Sequence, residues 1–402
     1  MNGEVQASTG DIEGETAREL IDLCRTGRLY EVEAWIRAGK PVNAPPDLRK
    51  SPLIVAVEKG FHSLVELLMK NGANPHANGN ALELAVDMGN DGIVRLLLDH
   101  GADPTTVNPQ LVCRCGNLDV VRLFLDRGVD LTRDNGFAVG LVETKKALLG
   151  VFRSYRERFP QLQRQADIAL RYCCREGRIG GVYRLLWARA NPLARVPDLD
   201  YEDDDPEMWS TALEAAVFWG HHEIVKRIGV DAARDDLNSL LHRSTFTANP
   251  EIIRYLAQNG ADINHREDGK TTCLVELFRT LHWNNESIFQ RGSSDSSRTL
   301  EAIYAALELG AKWERGDGQA THFARSGFYA LSDRPLLSLL GVFRKHGVCP
   351  DSELIRLLDT PRMVKKLEGD LKPFVKMFPG WRRAQKRHAE IEGLKRMGRW
   401  RR

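Results

Sequence analysis

Residues 58–74, EKGFHSLVELLMKNGAN, decide the fold, because shifted copies of this segment recur along the chain. A first glycine falls at positions 27, 60, 89, 116, 177 and 220, and a second glycine falls at 39, 72, 101 and 128. Both series advance by 33, then 29, then 27 residues. Because the two markers move together, a whole unit repeats and the differences in length lie in the connections. Self-similarity at this period is typical of stacked arrays of helical units.

Two helices are predicted in each unit. Between the two glycines, apolar residues recur at i, i+3 and i+4, as in Leu64, Leu67 and Leu68, which is the pattern of an amphipathic helix. Before the first glycine, short apolar segments such as 52–57 and 81–86 predict another helix. Each unit is therefore predicted as helix, glycine turn, helix, Gly-Ala-Asp/Asn turn and extended connection.

The segment from Ser51-Pro52-Leu53 to Gly72-Ala73-Asn74 resembles the ankyrin repeat. Asn80 to Pro104 and Thr211 to Val225 repeat the pattern, and the resemblance is fullest over about 17–130, less full over 166–265 and least over 299–349. It implies an all-α fold, an ankyrin-repeat-like solenoid of about eight or nine stacked helix-turn-helix units, several of them degenerate, with a basic C-terminal extension. The family usually places a histidine three residues after the Ser or Thr that opens the first helix. This chain has Ile54, Glu83 and Glu214 there, so we expect weaker polar bracing and more dependence on packing.

The departures from the repeat define the predicted domain organisation. Residues 1–15 are predicted as a disordered lead. The predicted segments that follow are regular repeats at 16–135, a degenerate repeat at 136–165, repeats at 166–265 with an acidic insertion at 198–207, degenerate repeats at 266–350 with a Ser-rich insertion at 284–298, and a basic helical cap or tail at 351–402. Insertions in repeat proteins form loops on one face, which is often the binding face.

Composition and motifs argue against several classes of protein. No run of 18 apolar residues exists, and the polar start of the chain does not resemble a signal peptide. Seven cysteines, an odd number, do not suggest a disulfide framework, so a cytoplasmic, reducing location is predicted. The close pairs Cys113-Arg114-Cys115 and Cys173-Cys174 lack the spacing of zinc ligands and are predicted to be structural. No phosphate-binding loop, nucleophile elbow or HExxH motif is present, so we predict no enzyme, no cofactor and no metal site. His221 and His222 are predicted to be structural.

The resemblance implies where a partner protein would bind. In the ankyrin family, the two residues before the first glycine face the concave groove and contact partners. Phe218 and Trp219 are two adjacent large aromatic residues at such a position, with the alternative that neighbouring repeats bury both rings. The other predicted contact residues are Glu58, Lys59, Asp87, Met88, Arg114, Arg175 and Glu176, together with Tyr201 in the acidic insertion. Trp35 and Trp187 are predicted on the apolar face of second helices, in the core.

The C-terminal segment is strongly basic. Residues 361–402 contain 14 Lys and Arg against 4 Asp and Glu, a net charge of +10, whereas the rest of the chain has a net charge of −8. Three interpretations stay open: a docked or solvated cap, a contact for an acidic protein or for the acidic insertion, and a nucleic-acid contact. The candidate contact residues in this segment are Trp381, Arg382, Arg383, Lys386, Arg387, Arg399 and Trp400.

The leading functional prediction is a non-catalytic protein–protein interaction module. The chain would act as an adaptor, regulator or inhibitor that binds another protein through the concave groove, with a monomer favoured. The alternatives are a nucleic-acid-associated protein that uses the basic tail, and an immunity-type inhibitor of one cognate enzyme. Fold resemblance alone does not choose among them.

Overall fold

A computed structural model of the 402-residue protein describes residues 14–143, 146–200, 209–266, 271–286, 296–312, 322, 331 and 333–347. These described residues form nineteen α-helices and no β-strand, so the all-α prediction is confirmed. The chain divides into two compact units, residues 1–173 with 180–209 and residues 174–179 with 210–402. None of the helices in the described ranges has the length and apolar character needed to cross a membrane.

Unit 1 contains five helix pairs in succession, followed by most of α11 and of α12. Residues 174–179, at the turn between α11 and α12, belong to unit 2. The bounds are α1 Gly14–Thr26, α2 Leu29–Arg37, α3 Pro52–Glu58, α4 His62–Lys70, α5 Ala81–Asp87, α6 Asp91–Asp99, α7 Pro109–Arg114, α8 Leu118–Asp126, α9 Gly136–Glu143, α10 Ala147–Tyr155, α11 Gln161–Arg175 and α12 Ile179–Trp187. The first helices α1, α3, α5, α7 and α9 pack side by side in one row, and the second helices α2, α4, α6, α8 and α10 pack in another.

Unit 2 repeats the two-row arrangement. Its helices are α13 Ala212–Phe218, α14 His222–Ile228, α15 Leu237–Ser244, α16 Pro250–Gln258, α17 Cys273–Glu286, α18 Ser296–Glu308 and α19 Asp333–Lys345. One row contains α13, α15 and α17, and the other contains α14, α16, α18 and α19. Phe278 and Phe343 are fully buried in this unit and their ring centroids lie 6.0 Å apart, so a single apolar core extends across α17 and α19.

The glycines end helices, and this explains why they recur. Gly60 has φ +73°, a left-handed conformation that costs other residues energy. Its N–H bonds the carbonyl of Val57, and the next N–H bonds that of Ala56, which together close the end of α3. Gly72 closes α4 in the same way, with the small side chain of Ala73 buried against the helix. The two glycine series are therefore helix C-caps.

The Asp or Asn that follows Gly-Ala recurs because its side chain makes a local hydrogen bond. The side-chain oxygen of Asn74 accepts a hydrogen bond from the N–H two residues later, at 2.9 Å, and Asp103, Asp130, Asn191 and Asp262 do the same at 2.8–3.0 Å. In each of these turns, the side-chain oxygen takes the place of a backbone carbonyl acceptor, and the chain bends toward the connection between repeats. The triplet Gly-Ala-Asp/Asn is thus one turn with three distinct roles.

Asparagine side chains supply polar bracing between repeats. Asn43 donates to the Gly72 carbonyl at 2.9 Å and accepts from the Asn74 N–H at 2.8 Å. Asn264 makes the same reciprocal pair with Gly310 and Lys312, at 3.1 and 2.7 Å, although 48 residues separate Asn264 from Lys312. Amide side chains in the connections and caps therefore make polar bonds between repeats beside the apolar packing, and the expectation of weaker polar bracing than in regular family members stays a prediction.

The segment 136–155 contains a helix pair whose first helix approaches its neighbour very closely. A Cβ on Gly136 would lie 2.6 Å from Cβ of Pro109, and a Cβ on Gly140 would lie 2.6 Å from Cβ of Cys113. Two glycines spaced four residues apart therefore let α9 pack directly on α7. The Ala138 N–H, in the first turn of α9, donates to the buried side chain of Gln165 in α11 at 2.9 Å.

Candidate functional site

In unit 1, the residues that end the first helices form a charged, solvated row. Glu58, Lys59, Asp87, Met88 and Arg114 are all exposed. Lys50 bonds the Glu58 carboxylate at 2.6 Å, and this hydrogen bond lowers the pKa of Glu58. Arg114 pairs with Glu143 at 2.5 Å. Exposed pairs of this kind contribute little to stability, so their charges remain available to a partner.

In unit 2, the same helix ends carry an aromatic cluster, defined here as Phe218, Trp219 and Phe246. The rings of Phe218 and Phe246 stack, with centroids 4.3 Å apart and planes 16° apart. Trp219 meets Phe218 edge-on, with centroids 5.6 Å apart. Trp219 is 48% exposed and Phe246 is 57% exposed, whereas Phe218 is half-buried between them. The alternative that both Phe218 and Trp219 are buried does not hold.

Sequence reasoning missed Phe246, because its repeat has no first glycine. Ala248 stands where the other repeats have their first glycine, and its φ is +48°. Asn249 follows it as the N-cap residue of α16, just as His221 follows Gly220 as the N-cap residue of α14. Counted back from these turns, Phe246 is the counterpart of Phe218. The signal was available in the spacing, since Ala248 follows Gly220 by 28 residues and precedes Asn249-Pro250, a helix start.

Arg175 is a predicted contact residue, but its side chain is not exposed. Its side chain is only 11% exposed and pairs with Glu176 at 2.9 Å. The Arg175 carbonyl accepts a hydrogen bond from Nε2 of His221 at 2.8 Å, and the His221 ring fills the space where a Cβ on Gly177 would lie 2.5 Å away. The structural role predicted for His221 is confirmed by these contacts. Among the two residues, Glu176 is the more accessible.

Part of the predicted site lies outside the described residues. These predicted residues are Tyr201, Trp381, Arg382, Arg383, Lys386, Arg387, Arg399 and Trp400. At the start of the acidic insertion, Asp198 pairs with Arg171 at 2.6 Å, and both side chains are largely buried. Arg195 donates to the Trp209 carbonyl at 2.5 Å on the other side of the insertion. The insertion therefore begins and ends at arginine contacts of unit 1.

The prediction for Trp187 was wrong, whereas Trp35 is buried as predicted. Trp187 is 66% exposed and Trp35 is 5% exposed. The physical reason is helix register. Trp35 is the seventh residue of α2 and corresponds to buried Leu68 in α4, but Trp187 is the ninth residue of α12 and corresponds to exposed Lys70. Aligning the second helices by their starts would have shown the difference.

The cysteines behave as small apolar residues. Cys24, Cys113, Cys173, Cys174 and Cys273 are buried, and burial raises the pKa of Cys24 and of Cys273 to about 12. Such thiols stay protonated near neutral pH. Among the residues that the structure describes, no group of three or more His, Cys, Asp or Glu side chains is arranged to hold a metal ion.

Comparisons with known proteins agree with the repeat pattern. The family model described as ankyrin repeats (3 copies) matches residues 20–108, which run from α1 to the connection before α7. A search of curated proteins finds no match.

Proposed function

Because residues 20–108 of this chain match the family model of ankyrin repeats (3 copies), we propose that the protein binds a partner protein as an adaptor, regulator or inhibitor, with the aromatic cluster at the centre of the contact. Ankyrin repeats are generally protein–protein interaction modules, and the family is typically non-catalytic. The choice among adaptor, regulator and inhibitor depends on the partner and belongs to the experiment below.

The observation that carries the proposal is the exposure of two large aromatic rings at the ends of adjacent first helices. Trp219 and Phe246 lie 48% and 57% exposed, and the stack on Phe218 holds Phe246 in place. Aromatic side chains bury about 150–250 Å² each on contact, and Trp is enriched among the residues that dominate binding energy. A preordered pair of rings also loses little conformational entropy on binding.

The charged row of unit 1 supplies a second kind of contact. Glu58, Lys59, Asp87 and Arg114 place both signs of charge on exposed helix ends. Charges at the rim of an interface mainly set specificity and the rate of association, rather than affinity. Within unit 1 we therefore assign selectivity to these charged residues, and within unit 2 we assign affinity to the aromatic cluster.

The test is quantitative affinity purification of the wild-type protein and of the double variant Trp219→Ala with Phe246→Ala. We expect the partner recovered with the wild type to be lost from the double variant, with a fall in affinity of about 30-fold or more for the purified partner, since two hot-spot rings are removed. Phe218 is left intact because it is half-buried and its removal would disturb α13.

The matched control is Tyr30→Ala, which removes an aromatic ring that is 83% exposed at the start of α2, in unit 1 and outside the aromatic cluster. This variant should retain the partner. Thermal unfolding of all three proteins should coincide within a few degrees, since only exposed rings change. If the double variant keeps every partner at wild-type affinity, the aromatic cluster is not the binding site.

A further inference from the structure

The exposed face of α12 is unlike that of the other second helices. Seven described second helices have nine residues, and their fifth and ninth positions can be compared directly. In five of them these positions carry only charged or amide side chains: Glu33 and Arg37, Glu66 and Lys70, Arg95 and Asp99, Arg122 and Asp126, Arg254 and Gln258. In α12 they are Tyr183 and Trp187, which are 45% and 66% exposed. In α10 the two positions are Val151, which is buried, and Tyr155, which is half-buried. Among the seven helices, α12 alone has exposed large aromatic rings at both positions.

An arginine side chain covers one of these two rings. The guanidinium of Arg153, on α10, lies 4.4 Å from the centroid of the Trp187 ring. Arg156, the C-cap residue that follows α10, donates to the Ala188 carbonyl at 3.5 Å, which joins the end of α12 to the end of α10. Residues 151–195 contain ten arginines, no lysine and three acidic residues. We define the Arg-Trp face as Arg153, Tyr183, Arg184 and Trp187.

We propose that the Arg-Trp face is a second docking surface, which binds a partner protein through a segment where acidic residues flank an apolar side chain. The apolar side chain would pack on the open side of Trp187, and the carboxylates would pair with Arg153 and Arg184. This surface is formed by second helices, so the proposal does not depend on the aromatic cluster at the first-helix ends.

Charge and ring geometry favour an acidic protein segment over a nucleic acid. Guanidinium groups bind carboxylates in a bidentate manner, and the charges on the face are cationic. Arg153 covers one face of Trp187, so a base could stack on the other face alone and could not insert between two open ring faces. A phosphate backbone also offers no apolar group to match the rings. An acidic and apolar peptide matches both properties of the face.

The experiment uses the full-length protein and a fluorescein-labelled peptide in which glutamates flank a central Leu-Phe pair. Fluorescence anisotropy gives affinity, and hydrogen exchange of the complex locates the bound peptide. We expect protection of α10 and α12, and a loss of affinity of about tenfold for Trp187→Ala and for Arg153→Glu. A matched peptide with glutamine in place of every glutamate should bind at least tenfold more weakly, because it loses the charged pairs with Arg153 and Arg184.

Two variants control for loss of any ring or any arginine. Tyr30→Ala removes an exposed ring on α2, and Arg95→Glu reverses an exposed charge on α6 in the same row of helices. Both should bind the acidic peptide like the wild type. The double variant Trp219→Ala with Phe246→Ala should also bind it, which separates this proposal from the proposed function.

The proposal is overturned if the acidic peptide fails to bind, if Trp187→Ala and Arg153→Glu bind it like the wild type, or if exchange protection is absent from α10 and α12. It is also overturned if a labelled single-stranded oligonucleotide of mixed sequence protects α10 and α12 more strongly than the peptide does. Circular dichroism of each variant should match the wild type, because the side chains of Trp187 and Arg153 are exposed.

Discussion

At the scale of single residues, the cap asparagines join neighbouring repeats, and Asn249 shows how. Its side-chain oxygen accepts from the N–H groups of Glu251 and Ile252 at 3.0 and 3.2 Å, while its amide nitrogen donates to the Gly220 carbonyl at 2.8 Å. Asn249→Asp keeps the cap oxygen but removes the donor, and places a carboxylate oxygen against that carbonyl. Because Asn249 is 2% exposed, we expect the free energy of unfolding to fall by about 1–3 kcal/mol.

The control for this residue is Asn90→Asp. Asn90 caps α6 through the same kind of bond, 3.1 Å to the Ile93 N–H, and among the described residues its amide nitrogen makes no bond to another repeat. Asp is as good a cap as Asn, so this change should alter stability by less than about 0.5 kcal/mol. Urea unfolding of both variants measures the difference. Equal effects would mean that the bond to Gly220 contributes nothing.

At the scale of helices, the close packing of α9 on α7 gives a prediction of opposite signs for two glycines. Gly140→Ala would put a Cβ 2.6 Å from Cβ of Cys113 and 2.8 Å from Cδ2 of Leu148, so α9 must move away. Overpacking of this kind costs about 1–3 kcal/mol, more than the helix propensity gained. Gly150→Ala in α10 meets nothing within 4 Å and should stabilise by about 0.4–1 kcal/mol. Thermal unfolding of the two variants checks the signs, and destabilisation by both would contradict the packing argument.

The same scale shows what the sequence could predict. The helix pairs and their glycine turns were predictable, because apolar spacing and C-cap glycines are local properties. The position of Trp187 was not read correctly, since core and solvent positions differ by only two residues along α12 and the apolar pattern there is interrupted. Phe246 was missed because Ala248 adopts the turn that glycine makes elsewhere. The Arg-Trp face could not be predicted, because it joins residues of two helices that the sequence separates by 34 positions.

At the scale of the whole molecule, charge is divided unevenly among three regions. The segment 361–402 has a net charge of +10, residues 151–195 combine ten arginines with three acidic residues, and the acidic insertion 198–207 holds seven carboxylates. The first region is dense in cations and includes Trp381 and Trp400, whereas the rest of the chain is net negative and repels polyanions overall. We therefore expect any nucleic-acid binding to come from the C-terminal segment.

The corresponding experiment is a gel shift of a labelled single-stranded oligonucleotide at low and at physiological salt. The full-length protein should shift the oligonucleotide at low salt and lose most of the shift as salt rises, because counterion release drives such binding. Replacing Arg382, Arg383, Lys386 and Arg387 by glutamine should weaken the shift and flatten its salt dependence, by about 0.7 in the logarithmic slope per lost phosphate contact. Arg153→Glu should leave the shift unchanged. If the shift depends on Arg153 instead, the nucleic acid binds at the Arg-Trp face. If no shift occurs at low salt, the C-terminal segment is excluded as a nucleic-acid site. Neither outcome bears on partner binding at the aromatic cluster.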